Sequence, residues 1–189
     1  MKLTLQELAR CALMTALVAV GAFIRIPLPG EDYFTMQFIV VALTGMLLGS
    51  KKGALVMGVY LLIGLLGIPI FAGGGGIGYV LKPTFGYLLG FVPAAFVGGL
   101  ISEHRDIRGR YWLAAAATLV IVYLFGMGYK YLLYNFYLSE PLPWSLVLLG
   151  VVPLLPKDIA ACAVAALLSG RLSGYFVLNE KQREKRESC

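Results

Sequence analysis

Apolar residues run through this chain in long blocks, and charged residues interrupt them at only a few places. Cutting at those interruptions leaves six apolar segments: residues 8–26, 33–49, 53–71, 79–101, 111–131 and 146–172. A membrane-spanning helix needs ~20 mainly apolar residues, and each segment is near that length. The pattern predicts an all-α integral membrane protein with six transmembrane helices, forming one membrane-embedded domain over residues 1–189. The last segment is long for a straight helix and carries Pro153 and Pro156. Proline removes a backbone donor and crowds the preceding turn, so a break or tilt is expected there. In the first segment Ala12 and Ala16 share a face at i, i+4 spacing, which lets another helix approach closely.

Composition narrows the class further. Hydrophobic residues make up 59% of the chain and charged residues 14%, against about 25% charged in soluble domains. Six spans leave no room for a nucleotide-binding domain. The glycine run at 73–76 also lacks the Gly-Lys-Ser/Thr continuation of a phosphate-binding loop. Any use of ATP is therefore expected from a partner subunit, and no resident cofactor is expected. Cys11, Cys162 and Cys189 are odd in number and scattered, a spacing that suits neither a disulfide framework nor a metal site. The N-terminal stretch carries Glu7 and no small-residue cleavage site, so it reads as the first span rather than a signal peptide. The single histidine, His104, lies in a charged loop. With no Ser/His/Asp set and no carboxylate dyad, an enzyme is not expected.

Charge then orients the spans. Lys2 and Arg10 precede the first, Lys51 and Lys52 separate the second and third, and Arg105, Arg108 and Arg110 separate the fourth and fifth. Arg171, Lys181, Arg183, Lys185 and Arg186 follow the sixth. All of these fall on one side, whereas Glu31, Asp32 and Glu140 fall on the other. By the positive-inside rule both termini are cytoplasmic. The net charge of +6 thus reflects topology, not nucleic-acid binding. Arg25, Lys82, Lys130 and Lys157 remain, within or toward the outer half of the spans. A charge near the bilayer centre costs ~3 kcal/mol on insertion scales and is a functional hypothesis by default.

Three stretches concentrate chemistry. Lys157-Asp158 is a charge pair inside an apolar stretch; adjacent helical positions point about 100° apart, so full mutual neutralisation is not expected and at least one should find another partner. Gly67–Gly90 combines four consecutive glycines with Tyr79, Lys82, Pro83 and Tyr87. Irregular backbone at membrane depth lines a cavity or is buried in protein, so a small-molecule pocket is expected, set against a flexible outer hairpin. At Tyr33–Gln37, Thr35 and Gln37 either face a site or form an interfacial cap.

The glycine stretch GIPIFAGGGGIGYVLKPTFGYLLGF resembles the signature of the BioY family, biotin-binding S components of energy-coupling-factor (ECF) transporters. That pattern runs G-L-P-V-F-A-G-G, a glycine turn, then G-P-T-G-G-Y-L-x-G-F. Gly67, Pro69, Phe71, Ala72, Gly73, Gly74, Pro83, Thr84, Gly86, Tyr87, Gly90 and Phe91 match it. Phe34-Thr35-Met36-Gln37 is similar to the family's F-T-L-Q, and Pro156 and Asp158 to its P-G-D. Lys82, Phe85 and Lys157 stand where the pattern has glycine, and Ala161 where it often has lysine.

The resemblance implies a multi-pass protein of a prokaryotic plasma membrane that holds biotin near its outer face. It implies docking, through small residues such as Ala12 and Ala16, on a transmembrane coupling protein that carries two cytosolic ATPases. Site residues implied are Gln37, Phe71, Gly73, Gly74, Tyr79, Lys82, Thr84, Tyr87, Lys157 and Asp158. Asp158 would accept from the ureido N–H groups, and Lys82 or Lys157 would pair with the valerate carboxylate. Two other classes stay open: a self-contained oligomeric transporter of biotin or a related acid such as dethiobiotin or lipoate, and an intramembrane enzyme.

Overall fold

The computed structural model describes residues 3–27, 33–104, 106–138 and 140–187, with side chains as far as residue 172 apart from that of Pro27. Lys2, Glu31, Asp32, Arg105 and Cys189, and the side chains of Lys181, Arg183, Lys185 and Arg186, lie outside the described residues.

The first helix, α1 (Leu5–Phe23), opens with a reciprocal cap: the Thr4 hydroxyl accepts from the Glu7 amide, and the Glu7 carboxylate accepts from the Thr4 amide at 2.9 Å. Such a cap satisfies two amides that have no partner within the helix. α2 (Gln37–Leu48) and α3 (Ser50–Leu65) follow as a tight helical pair. The Glu103 carboxylate accepts from the Ser50 amide at 2.7 Å and the Ser50 hydroxyl at 3.0 Å, so the end of one helix caps the start of another. Lys52 and Glu7 form an ion pair at 2.7 Å, tying α3 to α1 at the end that the basic residues assign to the cytoplasm.

α4 (Phe85–Glu103) and α5 (Arg110–Leu132) form the most extensive helix pair in the bundle, and α5 runs on into a wider turn, Leu133–Tyr137. Gly45 of α2 and Gly53 of α3 both meet Ala95 of α4, so these three helices touch backbone to backbone. Large apolar side chains such as Leu13, Leu17, Val120 and Leu124 cover the outside, as a lipid-facing surface requires.

Apolar helices occupy all six predicted segments, with local differences; the third, for one, is helical only as far as Leu65. Residues 33–35 are a strand, not the start of a helix: β2 (Tyr33–Thr35) pairs antiparallel with β1 (Arg25–Pro27), with Arg25 opposite Thr35. Tyr, Phe and Thr favour extended backbone, and helix begins only at Gln37. The two-stranded ribbon is thus an addition to the all-α expectation. The fourth segment is interrupted as well: Ile77–Leu81 is a tight 3-10 turn, and helix resumes only after Pro83. The sixth is broken, as its prolines predict, into α6 (Trp144–Val151) and α7 (Leu155–Glu187), bent by 52°.

Among the described residues, α1, α4 and the α5 run are each long and apolar enough to cross a membrane, and α6 with α7 makes a fourth, broken span. At 1.5 Å per residue, α2 and α3 reach only about 18 and 24 Å, short of the ~30 Å hydrocarbon core.

Candidate functional site

The ribbon and the loop from Leu66 to Thr84 lie at the end of the bundle opposite the Lys52–Glu7 pair. Beneath the loop, α2, α4, α5 and α7 converge on a cavity of about 70 Å³. Tyr33, Thr35, Gln37 and Phe38 line one side, and Tyr87, Leu88 and Phe91 of α4 another. Val122 and Tyr123 of α5 and Leu154, Lys157 and Asp158 complete the floor, under a roof of Ala72, Tyr79 and Thr84.

The floor holds the charge. Asp158 is 6% exposed and sits in the first turn of α7, just after the break. Its Oδ2 accepts from the Tyr123 hydroxyl at 2.6 Å. Its Oδ1 lies 2.7 Å from Lys157 Nζ, off the hydrogen-bonding direction, and receives no hydrogen bond among the described residues. Lys157 Nζ also donates to the Thr35 carbonyl at 2.7 Å and stands 4.9 Å from the Phe34 ring centre. The adjacent charges thus form an ion pair through Oδ1. The four-carbon lysine stem folds back in a way that the 100° separation of helical positions does not forbid. Both groups also take the further partners expected from the sequence.

Gln37 enters the cavity from the start of α2 and is held from behind. Its Nε2 donates to the Tyr60 hydroxyl at 2.7 Å, and that hydroxyl donates to the Ile70 carbonyl at 2.9 Å. Tyr60 thus links the polar wall to the foot of the roof loop. Replacing Tyr60 with Phe should leave a buried amide donor and a loop carbonyl without their partner, at roughly 1–3 kcal/mol. The expected result is a lower melting temperature and weaker retention of ligand; unchanged values for both would rule this link out.

The roof is a hydrogen-bonded turn. Phe71 and Gly74 exchange backbone hydrogen bonds at 2.9 and 3.1 Å, with Gly74 at a φ of +115° that a side chain rarely adopts. The Tyr79 hydroxyl accepts from the Gly73 amide and stands 3.3 Å from the Thr84 hydroxyl. The Phe71 ring packs edge-on to Tyr60, 5.4 Å between centres, and 4.8 Å from Tyr79. Lys82 Nζ donates to the Gly73 carbonyl at 2.9 Å, 5.1 Å from the centre of the Tyr79 ring.

Of the site residues read from the sequence, Gln37, Tyr79, Thr84, Tyr87, Lys157 and Asp158 line the cavity. Phe71 lies behind Tyr79 as a wedge, Gly73 and Gly74 form the outer side of the roof, and Lys82 bonds to that roof instead of entering the cavity. Ala12 and Ala16 are exposed on α1, far from the cavity. Sequence reasoning passed over Tyr123. A signal existed: Tyr123 falls near the middle of an apolar span, where a phenol must find a partner. Its ring meets Tyr87 edge-on at 6.0 Å, and Tyr87 in turn rests against Gly126, where any Cβ would overlap the ring.

The BioY family model matches residues 1–176 of this chain. The chain is 42% identical over 173 residues to a probable biotin transporter BioY from Lysinibacillus sphaericus, covering 90% of this chain and 88% of the relative. It is 37% identical over 169 residues to the biotin transporter BioY of Thermotoga maritima, covering 89% and 96%. Its fold is similar to the crystal structure of the S-component for biotin from an ECF-type ABC transporter, with a TM-score of 0.77 at 23% identity over 90% of this chain and 94% of that one.

Proposed function

This chain belongs to the BioY family, and on that premise we propose that it is the biotin-binding membrane subunit of an ECF-type uptake transporter. The observation that carries the reading is Asp158: a buried carboxylate with one oxygen held by Tyr123 and the other beside an ammonium but free of hydrogen bonds among the described residues. A ureido edge supplies N–H donors for such an oxygen, and Lys157 stands next to it, where the ureido carbonyl can accept. Tyr79, Tyr87 and Phe91 offer apolar faces to the bicyclic body. The valerate chain then extends toward Tyr33 and the outer surface. Lys157 belongs to the ureido end in this arrangement and Lys82 to the roof, so neither is assigned the carboxylate.

The chain captures its ligand and performs no chemistry on it. Energy comes from partners: a transmembrane coupling protein and two cytosolic ATPases, with Ala12 and Ala16 on the docking face of α1. The proposed role needs no resident cofactor.

Calorimetric titration of purified, ligand-stripped protein with biotin, dethiobiotin and lipoate tests the reading. One tight site that prefers biotin is the expected result. A folded sample that ignores biotin, or prefers lipoate, would reject it.

A further inference from the structure

Outside the cavity, between β1 and the glycine turn, lies a second and more open groove of about 540 Å³, lined by Arg25, Tyr33, Gly73 and Gly74. Tyr33 also lines the inner cavity, so its side chain borders both spaces. Arg25 is exposed, and its guanidinium stands 5.8 Å from the Tyr33 ring centre. The strand register sets its root opposite Thr35, whose carbonyl holds Lys157. Across the groove, a Cβ placed on Gly73 would stand 3.0 Å from Lys82 Nζ and 3.2 Å from the Tyr33 hydroxyl. Two cations thus bracket the outer face of Gly73, and among the described residues neither has a carboxylate within ion-pair distance.

We infer that this groove is an outer anion site that receives the carboxylate of the incoming ligand, with Arg25 as its main contact and Tyr33 as the partition that the ligand chain passes. The inference rests on the biotin-binding reading and supplies the carboxylate partner left open there. The guanidinium fork matches a carboxylate in two parallel hydrogen bonds. Because Arg25 is exposed, its effect falls on capture more than on retention: charges at a rim act mainly on association rates, and salt screens them.

The test compares association rates of biotin and of its neutral amide, by stopped flow, on wild type, Arg25→Gln and Arg25→Lys. Wild type should bind biotin about tenfold faster than the amide, and high salt should close the gap. Arg25→Gln should slow biotin to the rate of the amide while leaving the amide rate alone, and Arg25→Lys should keep most of the difference. Equal slowing of both ligands would mark a structural role and overturn the inference, as would no change in either. If wild type binds the amide and biotin at the same rate, the outer site is rejected while the biotin reading stands. If wild type binds neither, the biotin reading fails and takes this inference with it.

Discussion

Asp158→Asn should weaken biotin binding by about ten- to a hundredfold, from the ~1.5–3 kcal/mol that a hydrogen bond to a charged group contributes. The substitution keeps the shape of the side chain and an oxygen for Tyr123. It removes the negative charge that the ureido donors would meet and turns an amide toward Lys157. Stability should fall too, because it leaves the Lys157 ammonium largely buried without its counter-charge. These two losses can be separated. The double variant Lys157→Gln/Asp158→Asn removes both charges together, which buried pairs tolerate far better than loss of one member. It should recover most of the melting temperature while still binding biotin poorly. Calorimetry and thermal unfolding on the same three samples check this. Full affinity in the double variant would remove Asp158 from the site.

Replacing Ala12 and Ala16 together with Trp should abolish assembly with the coupling protein and leave biotin affinity unchanged. Both alanines are exposed, with Leu13, Leu17 and Val20, on the side of α1 away from its buried stripe of Cys11, Met14 and Val18. Because both are exposed, the indoles should cost little fold stability. Against a partner helix they would hold the two backbones apart, and close approach is what small residues permit. Co-purification with the coupling protein and ATPases, scored beside biotin titration of the isolated subunit, reads the two effects separately. Intact assembly of the double Trp variant would move the docking face elsewhere.

The helical segments were legible because lipid demands unbroken apolar runs, and the sequence shows those runs directly. The break before α7 was equally plain, since Pro153 and Pro156 act locally. The strand at Tyr33–Thr35 was hidden, because its three residues continue the apolar run of the second segment and hydropathy does not separate strand from helix over so short a stretch. At the site, Asp158, Gln37 and the tyrosines of the glycine stretch stood out as polar or aromatic groups in apolar surroundings. Pairing was the part that could not be read. Whether Lys82 points into the cavity or back to the Gly73 carbonyl depends on the path of the turn. Lys157 folds onto its neighbour because Thr35, 122 positions away in the chain, offers a carbonyl at the right height.

The two ends of the bundle are held by different kinds of bond. At the cytoplasmic end, carboxylates clamp helices to one another: Glu7 to Lys52, and Glu103 to Ser50. The roof is held by hydrogen bonds within its own loop, around Phe71, Gly73 and Gly74, and by single ties to the bundle such as Tyr60 to Ile70 and Gly76 to Gly64. Segments of that kind open at far lower free energy than packed helices. On warming, the roof therefore loosens first, and the subunit becomes a leaky container while its helices are still intact. The temperature at which ligand escapes should lie below the temperature at which the protein melts, and the gap between them should report on the roof and its ties to the bundle.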